Sequence, residues 1–291
     1  MKNILLLLIT ILISACSSTK QVTEIALNKP IEKVVVINDS IFENNKSTIV
    51  YKETSQDSLK RKPEFVSKHA NRGLVKETIE IHELWNELLQ EHVSDKGNVD
   101  YQGLIKERLK LNNYIKLLNP ELPNGTHKKE YTLAFWINAY NAMTVDLILR
   151  HYPVKSIKDI KDPWQQRYWK LGEKWFNLED IEHQILRKME EPRIHFAIVC
   201  ASISCPKLLN EAYTAENLEQ QLTNATKDFL SDTKRNFISK DTLELSKIFQ
   251  WFTKDFKQNG SLIDFLNLYS NIEISIKAKT NYQDYNWDLN E

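Results

Sequence analysis

The chain has 291 residues, with 39 basic side chains against 39 acidic ones and a formal net charge of zero. That balance gives no reason to expect nucleic acid or an anionic surface as a charge-driven partner. The length allows one or two domains, and seven tryptophans with 42% hydrophobic residues are enough for a packed core.

The first residues read "MKNILLLLITILISAC". Lys2 supplies a charged start, and Ile4 to Ile13 form an apolar run of ten, too short to span a bilayer and right for a signal segment. Ile13, Ser14 and Ala15 then stand before Cys16, a pattern that resembles the bacterial lipoprotein signal. The resemblance implies residues 1–16 as a lipoprotein signal peptide with Cys16 as the acylated residue. The partner is then a membrane, reached through a lipid anchor. The place is the bacterial cell envelope, with the rest of the chain outside the cytoplasm. Each buried acyl methylene adds about 0.8 kcal/mol to such an anchor.

Residues 17–73 are rich in Ser, Thr, Lys, Asn and Glu, with few aromatics. They read as a disordered tether. The folded domain is expected over 74–291. Ile81, Leu84, Trp85, Leu88 and Leu89 keep helical spacing. A second helix is expected from Leu104 to Leu118, stopped by Pro120. The third, "KEYTLAFWINAYNAMTVDLILRHYP", is apolar nearly all round, which predicts a central, buried helix. A loop-like aromatic stretch follows from Trp164 to Trp175. Asn177 caps the expected helix "LEDIEHQILRKM", and Pro192 closes it. "RIHFAIVC" reads as a buried strand, and a helix capped by Thr214 runs through Phe229. "NFISKDTLELS" reads as a hairpin, followed by two helices, the second capped by Ser261. "IEISIKAK" alternates as a strand with one wet face. The sum is α+β: a single helix-rich domain with a small sheet.

Several polar residues sit where apolar ones are expected. Asn138 and Asn141 share one stripe of the buried helix. A buried amide without partners costs about 1–3 kcal/mol, so each must bond something definite, most simply a loop backbone. Glu182 interrupts the apolar stripe of its helix, and His183 lies beside it. Such a carboxylate is either a paired structural group or an orienter of a histidine. In a strand, His195 and Cys200 point to opposite faces. Cys205 lies beyond a turn of small residues. With Cys16 assigned to lipid, Cys200 and Cys205 are an even pair in a compartment that permits disulfides.

"LAFWINAYNAM", "FNLEDIEHQILR", "RIHFAIVCASISCPKL", "LSKIFQWFTKDF" and "YNWDLN" together resemble the family of domain of unknown function 547. The resemblance implies that Asn138, Asn141, Glu182, His183, His195, Cys200 and Cys205 belong to the family's own signature. It supplies no reaction. A looser likeness to papain-like and transglutaminase-like folds lacks their cysteine on the buried helix.

Two functions follow. One is an envelope binding or scaffolding domain, with a structural Cys200–Cys205 disulfide and a glycan or envelope protein as partner. The other is a thiol-dependent acyl transferase or hydrolase with Cys205 as nucleophile, His195 as base and Glu182 as orienter. Zinc is the weakest reading, because four residues separate the thiols and no second histidine is close. No cofactor, metal or nucleic acid is expected.

Overall fold

The computed structural model describes residues 81–291. The signal peptide, Cys16 and the tether lie outside the described residues, as do the first residues of the expected domain. No helix among the described residues is long and apolar enough to cross a membrane.

The body is built around the helix α4 (Lys129–His151), buried without a break from Leu133 to Leu149. Nothing in its sequence divides a wet face from a dry one, so its neighbours must enclose it. Before it come α1 (Glu83–His92), α2 (Tyr101–Lys106) and α3 (Arg108–Leu117). Of these, α2 and α3 pack on α4, and α1 packs on both of them. Asp146 is fully buried in α4. Trp169 Nε1 and Arg150 Nε both donate to its Oδ2 at 2.7 Å.

A second apolar cluster lies along the later chain. It gathers Phe196, Phe229, Leu243, Leu245, Phe249, Phe256, Phe265 and Leu266. These come chiefly from α5 (Leu218–Ser231), α6 (Lys247–Trp251), α7 (Thr253–Phe256), α8 (Leu262–Tyr269) and a three-stranded sheet. A separate hairpin, β1 (Trp169–Leu171) with β2 (Lys174–Phe176), comes earlier in the chain. In the larger sheet β3 (Phe237–Ile238) pairs antiparallel with β4 (Thr242–Leu245), which pairs parallel with β5 (Lys279–Tyr282). The result is one α+β domain, helix-rich with small sheets.

The segment 192–200 runs along the seam: Phe196 packs in the second cluster, while Ile194, Ala197 and Ile198 pack in the first. It is not the strand expected there. Pro192 to Phe196 form a 3-10 turn capped by Glu191, whose carboxylate accepts from Arg193 N at 3.1 Å. Past it no neighbouring strand offers a ladder. Asn141 substitutes for one: its Nδ2 donates to Ala197 O at 2.9 Å, and its Oδ1 accepts from Val199 N at 3.0 Å. Asn138 does the same for Tyr213, accepting from its N–H and donating to its carbonyl at 3.0 and 2.7 Å.

"IEISIKAK" departs for the same reason. Asn267 holds both the N–H and the carbonyl of Ile274, Ile272 and Ile276 are exposed, and strand pairing starts only at Lys279. The second expected helix breaks at Glu107 into α2 and α3. The aromatic stretch, read as a loop, contains the β1–β2 hairpin, turned at Gly172 with φ +60°. Thr214 accepts from Asn217 N in the turn that leads into α5.

Candidate functional site

Asn177 starts the helical segment as expected, its Oδ1 accepting from Asp180 N at 2.7 Å. The segment is not an α-helix. Asp180–Ile185 is a π-helical turn that tightens into a 3-10 turn over Leu186–Met189. A π turn is wider and costs backbone geometry, and such turns recur at functional sites. Here both Glu182 and His183 line one cleft.

That cleft has a volume of about 250 Å³. Its lining includes Tyr140 from α4, Glu182 and His183 from the π turn, His195 from the 3-10 turn, and Cys200 and Cys205 from the loop beyond. Strand alternation had set His195 and Cys200 on opposite faces; with the strand gone, both face the cleft. The aromatic wall is Trp164, Trp251, Phe252, Tyr285 and Trp287. Tyr285 packs on Trp287 with centroids 4.6 Å apart, and Trp251 lies against both. Of the aromatic stretch only Trp164 reaches this cleft. Trp169 is buried against Asp146, and Trp175 is exposed on the hairpin.

His195 is buried and stacks on Phe252 at 3.9 Å between centroids. Its Nε2 lies 2.8 Å from Asp255 Oδ2. Asp255 also receives both arms of Arg187, Nε at 2.6 Å and Nη2 at 2.8 Å, and Arg187 Nη1 reaches His183 Nδ1 at 3.0 Å. Burial by itself would raise the Asp255 carboxyl, but the hydrogen bonds from Arg187 and His195 outweigh it and hold it well below the usual carboxylate range. The carboxylate of Asp255 thus holds the Nε2 edge of the His195 ring, and the ring lines the cleft.

Among the described residues Glu182 makes no hydrogen bond to His195. It accepts from Tyr140 Oη at 3.1 Å. Burial, then Glu182, pushes the Tyr140 hydroxyl far up, so Tyr140 remains the donor. The group that orients His195 is therefore Asp255, not Glu182. Asp255 lies in "LSKIFQWFTKDF", where its only sequence signal was a carboxylate inside an aromatic motif.

The sulfurs of Cys200 and Cys205 are paired, with Cα atoms 6.4 Å apart. Cys205 is 3% exposed and Cys200 is half-buried. Cys205 Sγ also receives Cys200 N–H at 3.0 Å and Tyr285 O–H at 3.2 Å, with Ser202 Oγ at 3.4 Å. Burial pushes the Tyr285 hydroxyl up to about 12, against a smaller opposing effect of Ser202. Ala201 turns the loop at φ +56°, a left-handed position that alanine rarely takes. The closing motif "YNWDLN" holds this loop: Ile203 N donates to Asp288 O, Ser204 N to Asn286 O and Asn290 N to Ala201 O. Among the described residues the three-ligand group with metal-like spacing is Glu91, His92 and Glu107. The two cysteines and His195 do not form one.

Residues 125–230 match the model of a protein family described as of unknown function, DUF547. The match supports the resemblance read from the motifs. It spans the signature residues from Asn138 to Cys205 and ends before Asp255 and Tyr285, which complete the cleft. No curated protein and no solved structure matches the chain, and the papain-like likeness gains no support.

Proposed function

We propose that this protein is a binding domain of the bacterial envelope, held outside the cytoplasm by a lipid on Cys16, with its ligand in the cleft beside His195. One observation carries the reading. The signature residues Glu182, His183, His195, Cys200 and Cys205, joined by Tyr140, converge on a single concavity whose other wall is aromatic. Concave, mostly apolar sites with a few converging polar groups are where ligands bind. Indole and phenol rings offer faces to the C–H side of a sugar ring, while Gln165, Glu179 and Glu182 offer partners for hydroxyls. A glycan fragment of one or two rings fits the volume. The Cys200–Cys205 pair pins the cleft floor.

Intrinsic tryptophan fluorescence, titrated with soluble envelope glycan fragments, tests the reading. Saturable change is expected in the full chain and is lost in Trp251→Ala. A response that survives Trp251→Ala and Trp287→Ala together, or no response at millimolar ligand, sinks it. The anchor has its own test. Cys16→Ser should move the protein from membranes to the soluble fraction, and absence of acyl chains on wild-type Cys16 would refute it.

A second reading is thiol-dependent acyl transfer or hydrolysis by Cys205. It is favoured by His195, which lines the cleft with Cys205 while its Nε2 is held by Asp255. In that reading Cys205 carries a free thiol, and His195→Ala slows its alkylation without unfolding the domain.

A further inference from the structure

The two sulfurs of the cleft are not equivalent. Cys200 is the more open, while Cys205 is buried and alone collects the amide N–H of Cys200; Tyr285 Oη sits between them, 3.2 Å from Cys205 Sγ and 3.3 Å from Cys200 Sγ, and can follow the charge to the departing sulfur. Ser202 Oγ lies 3.2 Å from Tyr285 Oη and can donate to it, which polarises the Tyr285 proton toward sulfur. Because burial keeps that phenol protonated at neutral pH, the donor is permanent. A structural bridge needs no such donors, since a disulfide sulfur is a poor acceptor. A departing thiolate does need them, and leaving-group stability sets the rate of thiol–disulfide exchange.

We propose that Cys200–Cys205 is a directional thiol–disulfide exchange centre, in which a cysteine-pair segment of a partner protein attacks Cys200 and Cys205 departs as the stabilised thiolate. The partner's thiolate forms a new S–S bond to Cys200 Sγ as the Cys200–Cys205 bond breaks. The electron pair of that bond leaves on Cys205 Sγ, facing the N–H of Cys200 and the O–H of Tyr285. The partner's second thiolate then attacks the partner's own sulfur in the mixed disulfide, and Cys200 leaves and takes a proton from water. The partner dithiol is oxidised by two electrons, the bridge is reduced to two thiols, and the two protons of the partner end on Cys200 and Cys205. Cys200 lines the aromatic-walled cleft, which is where the partner's thiolate would approach it. This activity uses the same cleft as the binding reading but does not depend on a glycan.

The test uses the full chain in detergent, oxidised, with a synthetic peptide bearing two cysteines as the probe. Bridge loss is followed by mass after acid quench and alkylation. Reduction is expected in the folded protein at neutral pH, and Tyr285→Phe should slow it about tenfold, the size of one hydrogen bond to a charged group. Ser202→Ala should slow it less. In Cys205→Ser, a glutathione mixed disulfide should form on Cys200, while in Cys200→Ser the buried Cys205 should stay unmodified. Thermal unfolding of each variant separates exchange chemistry from loss of fold. The proposal is overturned if the bridge opens only in denaturant, if Tyr285→Phe exchanges at the wild-type rate, or if the mixed disulfide maps to Cys205. It is equally overturned if the purified protein holds two thiols that oxidised glutathione does not join. Glycan-induced fluorescence change is read separately, so failure of either idea leaves the other standing or falling on its own result.

Discussion

Helix α4 and the segment from Asn177 to Pro206 pack against each other and solve the same problem in opposite ways. Both are buried through their central stretches, Leu133–Leu149 and Arg193–Val199, so both must satisfy the backbone N–H and carbonyl groups there away from water. The helix does so internally, which frees its side chains to be apolar on every side. Past its 3-10 turn the segment has, among the described residues, only an isolated bridge, Ser202 to Leu289. Where its own turns run out, Ala197 O and Val199 N are taken by the Asn141 side chain, and the cysteine loop by the backbone of the closing motif. That arrangement leaves its own polar side chains, Glu182, His183 and His195, free to face the cleft. Regular structure makes the scaffold here, and irregular structure held by a scaffold makes the site.

The comparison breaks hardest at Asn141. Asn141→Leu keeps the volume but strands Ala197 O and Val199 N. Two orphaned buried groups should cost about 2–4 kcal/mol in urea unfolding. Asn141→Asp keeps one acceptor for Val199 N and should fall between. If Asn141→Leu unfolds at the wild-type midpoint, the seam is not held by this side chain.

Asp255 gives the next largest effect, and it carries a sign. Its carboxyl is depressed in the folded state by Arg187 and His195, with the unfolded reference at 3.8. The unfolded chain therefore takes up the proton first on acidification. Stability from this group is complete above about pH 4 and is lost as pH falls below that. Asp255→Asn should remove this acid-limb slope and lower stability at pH 7, because Arg187 loses its buried counter-charge. Parallel slopes for the two proteins below pH 4 would show that the pair contributes nothing.

Which parts were legible follows from where the satisfying group sits. The α4 span, the β3–β4 hairpin and the Ser261 cap carry their signals within a few residues. The strands expected at "RIHFAIVC" and "IEISIKAK" had the right apolar, β-branched content. Their true partners are Asn141, 56 residues away from Ala197, and Asn267, seven residues before Ile274, and neither follows a strand period. The signature residues of the cleft stood out as polar intrusions. Asp255 did not, because its bond to His195 spans 60 residues and a carboxylate near the end of a short helix looks like a solvated one. Tyr285 was hidden similarly in a tail whose use is visible only when it lies on the cysteine loop.

The smallest effects sharpen the comparison most. Ser261 and Asn177 are both caps, one opening the regular α8 and the other the π turn. Ser261 Oγ accepts from Asp264 N at 3.1 Å, and Asp264 accepts from Ser261 N at 2.7 Å in return. Asn177 Oδ1 accepts from Asp180 N, and its Nδ2 reaches Gln165 O at 3.4 Å. Replacing either by alanine removes its cap bond to the helix N–H, worth about 1 kcal/mol, together with one further side-chain bond. The stability losses should therefore be alike. Their consequences at the cleft should not. In Ser261→Ala the shortened helix end lies on the second cluster, and Tyr285-dependent exchange and tryptophan emission should be unchanged. In Asn177→Ala the first turn beneath Glu182 and His183 is released, and Gln165 beside Trp164 loses its tie. Tryptophan emission should shift and ligand response weaken at a temperature where the domain is still folded. Equal cleft behaviour in the two variants would mean that the π turn holds its shape without its cap, and that the irregular segment is as self-sufficient as the helix it leans on.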